Sequence, residues 1–259
     1  MADFQHLKAM LDRAIHQRPL LLATTSGAAA LVAFAAWCIK DYRNYLALGP
    51  GGPPYNVKGW AWITFGTRPF ALSKSGATYI ADYPIEGSHS EIQNLPRRQG
   101  ERALLGGIAP HRQLSQHAPP CMRTHPSTLE TKKSLYERHH DALFVSQKLL
   151  ESQPESLPNT AIIARGELGH AHPDLSVHLY LSPADARVII EKGWAERHRL
   201  SVPETSWVKN KYAIASTYLM IYGPRDEKEM EVLRVILENS IRFMTGHDEV
   251  EKLQWKEVV

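Results

Sequence analysis

The chain has 259 residues, 43% of them hydrophobic, and a net charge of +3 from 30 Lys and Arg against 27 Asp and Glu. This supports a core of ordinary size and excludes a strongly basic nucleic-acid binder, because no basic stripe or aromatic-interleaved patch occurs. With Cys38 and Cys121 as its two cysteines, the chain builds neither a disulfide framework nor a cysteine zinc site.

Residues 1–18 read as an amphipathic leader, with Phe4, Leu7, Leu11, Ala14 and Ile15 at helical spacing. Pro19 to Ile39 then carries no charge, which matches the ~20 residues that cross a bilayer as a helix. A single transmembrane anchor over 19–39 is the leading expectation. A signal peptide cleaved near Ala33-Phe34-Ala35 and a buried helix are the alternatives, and the long leader argues against cleavage. The expected location is therefore an endomembrane, crossed once. Lys8, Arg13 and Arg18 on one side face Lys40 and Arg43 on the other, so charge bias does not set the orientation. A linker over 40–54 includes the Gly/Pro-rich Leu48–Pro54, and the main domain is expected over 55–259.

Within that domain, Gly59–Arg68 carries Trp60, Trp62 and Phe65 and fits either an interface or a core. Glu130–His140 is helix-capable, Ala142–Val145 reads as a short strand, and Gln153–Asn159 as a loop. Arg165–Leu200 concentrates the chemistry. His170 and His172 are two apart and project to one side of an extended segment. Asp174–Ser182 alternates, with Leu175, Val177, Leu179 and Leu181 on one face and Ser176, His178 and Tyr180 on the other, the pattern of a half-buried strand. Ser182 as N-cap, Pro183 at the first position, Asp185 and the trailing Gly193 predict a helix over 183–192, followed by an exposed Arg197-His198. Ser216–Tyr222 predicts a strand, and Asp226–Thr245 a helix stopped by Gly246. The fold class expected is α+β, a mainly antiparallel sheet with packed helices behind one N-terminal membrane helix.

Three chemistries fit His170, His172 and His178. With Glu167 as a further oxygen donor they can ligate zinc or non-haem iron. As neutral imidazoles they can take protons near neutral pH, and as structural groups they can satisfy carbonyls. Arg197 suits an oxyanion partner or a surface ion pair with Glu196 or Asp185, and His198 divides between site and surface in the same way. Trp194 and Tyr180 suit stacking on an aromatic substrate or core packing, while His111-Arg112 has only loop context. No Gly-x-Ser-x-Gly elbow, Walker loop or dinucleotide fingerprint is present.

Glu167, His170, His172, Ser176, His178, Asp185-Ala186, Gly193-Trp194 and Arg197-His198 together resemble the fungal luciferase family. Asp41-Tyr42, Gly49-Pro50, Gly107–Arg112 and Tyr222–Glu227 extend the resemblance over most of the chain. Departures are Arg199, where the family usually has Pro, and a longer link over 201–215. The resemblance implies an oxidoreductase that acts on 3-hydroxyhispidin or a similar catechol-bearing pyrone. Molecular oxygen is its co-substrate, and no metal or organic cofactor is implied. In that reading His170, His172 and His178 deprotonate and orient the substrate, Glu167 fixes a tautomer, and Arg197 or His198 balances charge. Ser176, Tyr180, Trp194, His111 and Arg112 line the substrate. A metal enzyme built on the three histidines and an inactive, membrane-tethered binding homologue are the alternatives.

Overall fold

The computed structural model describes residues 2–17, 19–116, 129–138, 141–152 and 154–253, and the chain divides into two compact units, Met1–Ala47 and Leu48–Val259. The first unit holds helices α1 (Ala2–Gln17) and α2 (Pro19–Ala47). Phe4 and Leu7 of the expected leader are exposed, whereas Leu11, Ala14 and Ile15 lie outside the described side chains. Helix α2 does not stop at Ile39 but runs on through Lys40, Asp41 and Arg43, so the linker begins at Leu48 and not at residue 40. Gly49 and Gly52 then take φ of +75° and +52°, backbone that only glycine adopts freely, and end the helix.

No helix among the described residues is long and apolar enough to cross a membrane, and the side chains of residues 19–23, the start of the span expected over 19–39, lie outside the described ones. Within α2, Thr24, Thr25, Ser26 and Gly27 interrupt the apolar run before the charges resume at Lys40.

The second unit is α+β. After α3 (Val57–Ala61), a π-helical stretch Trp62–Thr67 and α4 (Ser90–Gln93), a hairpin pairs β1 (Leu105–Gly107) with β2 (His111–Gln113). Trp60 is buried, as the core reading of that segment expects, while Trp62 and Phe65 are exposed. A six-stranded sheet follows, built from β3 (Leu129–Lys133), β4 (Asp141–Val145), β5 (Glu167–Ala171), β6 (Val177–Tyr180), β7 (Ala195–Arg197) and β8 (Tyr218–Ile221). Its order is β3-β4-β5-β6-β8-β7 and every pairing is antiparallel. The helix expected over 130–140 is absent: Leu129–Lys133 is drawn into a strand by pairing with β4, and residues 139 and 140 lie outside the described residues. Within the stretch read as a loop, 154–156 form a turn of 3-10 helix, after a short helix α5 (Gln147–Ser152).

Helices α6 (Asn159–Ile163), α7 (Pro183–Glu191) and α8 (Glu227–Thr245) complete the unit, with α8 packed on β5 and β6. Local chemistry sets their ends. Ser182 Oγ accepts from Asp185 N at 3.2 Å, and Gly193 follows α7 at φ +86°. Asp226 Oδ1 accepts from Glu229 N at 2.8 Å, and Gly246 closes α8 in the left-handed region. Val232, Leu233, Ile236, Ile241 and Met244 of α8 are buried, each contributing about 1.5–3 kcal/mol by leaving water. Ser240 Oγ donates to Tyr180 O at 2.7 Å and locks α8 onto β6.

Candidate active site

Directly opposed residues of an antiparallel pair project to the same face. The register opposes His170 to His178 and Tyr180 to Tyr218, so the strands β5, β6 and β8 put two imidazoles and two phenols on one face. Beyond β7, the His198 N–H donates to Tyr218 O at 2.9 Å and brings a third ring to that face. His172 follows His170 by two residues, and His111 arrives from β2. His178 stands at the centre: its ring centroid lies 5.2 Å from His170, 5.1 Å from His172, 5.0 Å from His198, 5.6 Å from His111 and 5.0 Å from Tyr218. Tyr218 in turn stacks on Tyr180 at 4.5 Å. The strand expected to be half-buried is thus buried on both faces, with His178 1% exposed.

The hydrogen bonds assign the tautomers. Glu167 is buried and accepts from Ser134 Oγ and from Leu135 N, each at 2.7 Å, and its Oε1 lies 3.1 Å from His170 Nδ1. A carboxylate only accepts, so the His170 proton is on Nδ1. The His172 Nδ1–H donates to Ser176 Oγ at 2.9 Å, whose hydroxyl donates to Asp174 Oδ1 at 2.7 Å. Arg112 Nη1 donates to His172 Nε2 at 3.2 Å. The His178 Nδ1–H donates to the Leu219 carbonyl at 3.2 Å. Each of these three rings therefore carries its lone pair on Nε2. His198 is the reverse: its Nδ1 accepts from Leu200 N at 3.1 Å, leaving the proton on Nε2. His170 Nε2, His178 Nε2 and His111 Nδ1 are buried and have no hydrogen-bond partner. Such atoms are rare in folded proteins and call for an occupant.

Burial holds His111, His178 and His198 neutral. It pushes His111 down to about 3, helped by the charges of Arg199 and Arg112. It also lowers His178 and His198 well below the usual imidazole value, reinforced by the neighbouring rings. The phenols of Tyr180 and Tyr218 are raised for the same reason. One cation, Arg112, reaches His172, and it is itself held by Glu137 at 2.5 and 2.9 Å. One nitrogen from each of His170, His172 and His178, or from each of His111, His178 and His198, lies within 4.8 Å of the others, so both sets have the spacing to hold a metal ion.

His170, His172, His178, His198, His111, Arg112, Glu167, Ser176 and Tyr180 are thus brought together as expected. Two residues are not. Arg197 and His198 are successive, so they point to opposite faces of β7. Arg197, expected exposed, is fully buried behind the sheet, donating to both Asp82 oxygens at 2.8 Å and to the Tyr83 hydroxyl at 2.7 Å. Trp194 donates to Pro96 O at 2.7 Å and packs against Arg98, away from the imidazoles. Arg112 occupies the cationic place assigned to Arg197. Tyr218, Tyr136, Ser134 and Glu137 join the site without having been singled out. Only Tyr218 was legible, by alternation within Ser216–Tyr222.

Residues 165–240, which carry β5 to β8 and most of α8, match the family model described as Luciferase domain. The chain is similar to the fungal luciferases over most of its length. It is 26% identical over 251 residues to a luciferase of Armillaria ostoyae, covering 90% of this chain and 91% of that protein. To a luciferase of Neonothopanus nambi it is 26% identical over 256 residues, covering 93% and 94%. No solved structure matches. The segment shared with the luciferase model contains four of the five clustered imidazoles, while His111 comes from outside it.

Proposed function

We propose that this relative of the luciferases is an oxygen-dependent oxidoreductase acting on a small hydroxylated aromatic molecule, and that the buried imidazole cluster is its active site. The observation that carries the reading is that the Nε2 atoms of His170 and His178 are buried in the cluster without a hydrogen-bond partner, each ring having its Nδ1 proton engaged. A neutral imidazole there accepts the enol or catechol proton of a hydroxy-pyrone resembling 3-hydroxyhispidin. The resulting enolate is electron-rich. Its electron pair passes to dioxygen as the new carbon–oxygen bond forms, and both oxygen atoms enter the product-forming adduct. Burial keeps water from protonating the enolate.

Two donors answer the developing negative charge. His198 offers its Nε2–H, and Arg112 brings a permanent cation beside His172. Glu167 and the Asp174–Ser176 pair act as positioning groups that keep the protons of His170 and His172 on Nδ1. Tyr180 and Tyr218 supply an aromatic wall.

The test is to supply 3-hydroxyhispidin and its hydroxy-pyrone analogues, with oxygen, to purified full-length protein and to follow oxygen uptake and product mass. Uptake coupled to substrate loss is expected. Binding without uptake by folded protein overturns the enzyme reading and leaves a small-molecule-binding homologue.

A further inference from the structure

Two segments far apart in sequence, 57–70 and 207–212, meet on the surface of the second unit and leave large aromatic rings in water. Lys211 joins them. Its Nζ donates to Gly66 O at 3.2 Å and lies 3.6 Å from the centroid of the Phe70 ring, while the Tyr212 hydroxyl donates to Thr67 O at 3.3 Å. Phe70 meets Trp207 edge to face at 5.5 Å. Trp62 lies over Gly66, its Cδ1 3.1 Å from where a Cβ on that glycine would stand. Trp207 is 84% exposed, Trp62 63% and Phe65 50%.

Neighbouring residues hold these rings outward. Trp207 sits in a turn closed by Ser206 N donating to Pro203 O at 2.8 Å and Lys209 N donating to Ser206 O at 3.2 Å, with Val208 buried beside it. Phe65 rests edge-on against the buried Trp60 at 5.5 Å. A single exposed apolar side chain needs no explanation, but rings gathered on one surface mark a contact.

We infer that the surface formed by Trp62, Phe65, Phe70 and Trp207 with Lys209 and Lys211 docks the second unit on an anionic phospholipid bilayer. Charge selects that occupant. Segments 57–70 and 207–212 carry Lys58, Arg68, Lys209 and Lys211 and no Asp or Glu, so the cations that accompany the rings complement lipid phosphates and anionic headgroups. Tryptophan settles at headgroup depth, with its apolar body among the upper acyl carbons and its N–H toward water. A nucleic acid would be gripped along a groove with its bases stacked on the rings, whereas Trp207 stands on a turn. The first unit points to lipid as well, because Leu31, Val32 and Phe34 of α2 are exposed apolar side chains. On neutral lipid α2 is the attachment; the aromatic and basic surface adds a second contact that depends on lipid charge.

The inference is independent of the proposed activity, and its test needs no substrate. Full-length protein is titrated with vesicles of phosphatidylcholine alone and of phosphatidylcholine mixed with phosphatidylserine, both with brominated acyl chains, and tryptophan fluorescence is read. Tighter binding and additional quenching are expected on the mixed vesicles. Lys209→Gln combined with Lys211→Gln should weaken binding to mixed vesicles about 10- to 30-fold and leave binding to neutral vesicles unchanged. Trp62→Phe combined with Trp207→Phe should remove the additional quenching, and an unchanged urea midpoint shows that each variant is folded. Binding no tighter to mixed than to neutral vesicles overturns the inference. So does a preference for phosphatidylserine that survives the lysine substitutions, as charges of the first unit such as Lys8 and Lys40 alone would give. Quenching unchanged by the two tryptophan substitutions also overturns it and leaves the rings to a protein partner.

Discussion

Glu167 Oε1 lies 3.1 Å from His170 Nδ1 although the two residues are three apart in a strand, where alternation places them on opposite faces. The pairing of β4 with β5 explains it. Leu143 opposes Gly169 and Phe144 opposes Glu167, so Leu168 is an extra residue on β5 and forms a bulge. The bulge turns Glu167 back to the imidazole face. Gly169 completes the arrangement, since any Cβ there would collide with the His178 carbonyl of β6. The carboxylate is thus aimed by backbone pairing and not by local sequence.

Removing that carboxylate should cost both stability and ring alignment. Glu167→Ala strands the Ser134 hydroxyl and the Leu135 N–H in a buried setting, and is expected to destabilise the protein by about 3 kcal/mol in urea unfolding. Glu167→Gln keeps an acceptor oxygen and should lose about 1 kcal/mol. Equal stability of Glu167→Ala and wild type would contradict the hydrogen-bonding scheme.

Acid should unfold the protein in a way set by the cluster. Burial depresses the folded-state values of His111, His178 and His198, while in the unfolded chain each takes up a proton below ~6.5. The unfolded state therefore binds more protons, and stability present above pH ~6.5 is lost as pH falls below it. Each such group contributes about 1.4 kcal/mol per pH unit, and for His111 the loss continues down to about 3. Urea midpoints measured between pH 7.5 and 5 should fall steeply, and His111→Gln should reduce the slope. A flat profile would show that the rings are not held neutral by burial.

Arg197 is expected to matter for folding and not for chemistry. Arg197→Met leaves Asp82 and the Tyr83 hydroxyl without their partner, a loss of about 3–5 kcal/mol. Arg197→Lys should not restore it, because a lysine cannot span both carboxylate oxygens and Tyr83. Thermal melting of both variants checks this, and a melting point within a degree or two of wild type would contradict it.

Membrane association is a separate expectation. Leu31, Val32, Phe34 and Ile39 of α2 are exposed apolar side chains, so the protein is expected to co-sediment with phospholipid vesicles. Leu31→Asp combined with Phe34→Asp should release it. Sedimentation unchanged by the double substitution would remove these residues as the attachment.

What could be read from the chain is what local chemistry decides. The α7 helix follows from Ser182, Pro183 and Gly193, the common side of His170 and His172 from their spacing, and the polar face of His178 from alternation along its strand, whereas their shared face comes from the register of β5 with β6. The antiparallel α+β class follows from short strands broken by turns. The rest depends on partners distant in sequence. His111 and His198 approach His178 only because β2 and β7 are carried there by the hairpin and by pairing with β8. Arg197-His198 reads as a polar, exposed pair, yet Asp82 and Tyr83, more than a hundred residues away, bury the one, and the imidazole cluster buries the other. The 130–140 segment has helical composition, and pairing with β4 overrides it.

The most direct test of the account is oxygen consumption by full-length wild type and His178→Gln, measured side by side on 3-hydroxyhispidin. His178 is the hub of the cluster and has a free Nε2. The account predicts uptake matched to substrate loss in wild type and a fall of about 10²-fold or more in the variant, with its fold intact. Equal rates in the two proteins would contradict it.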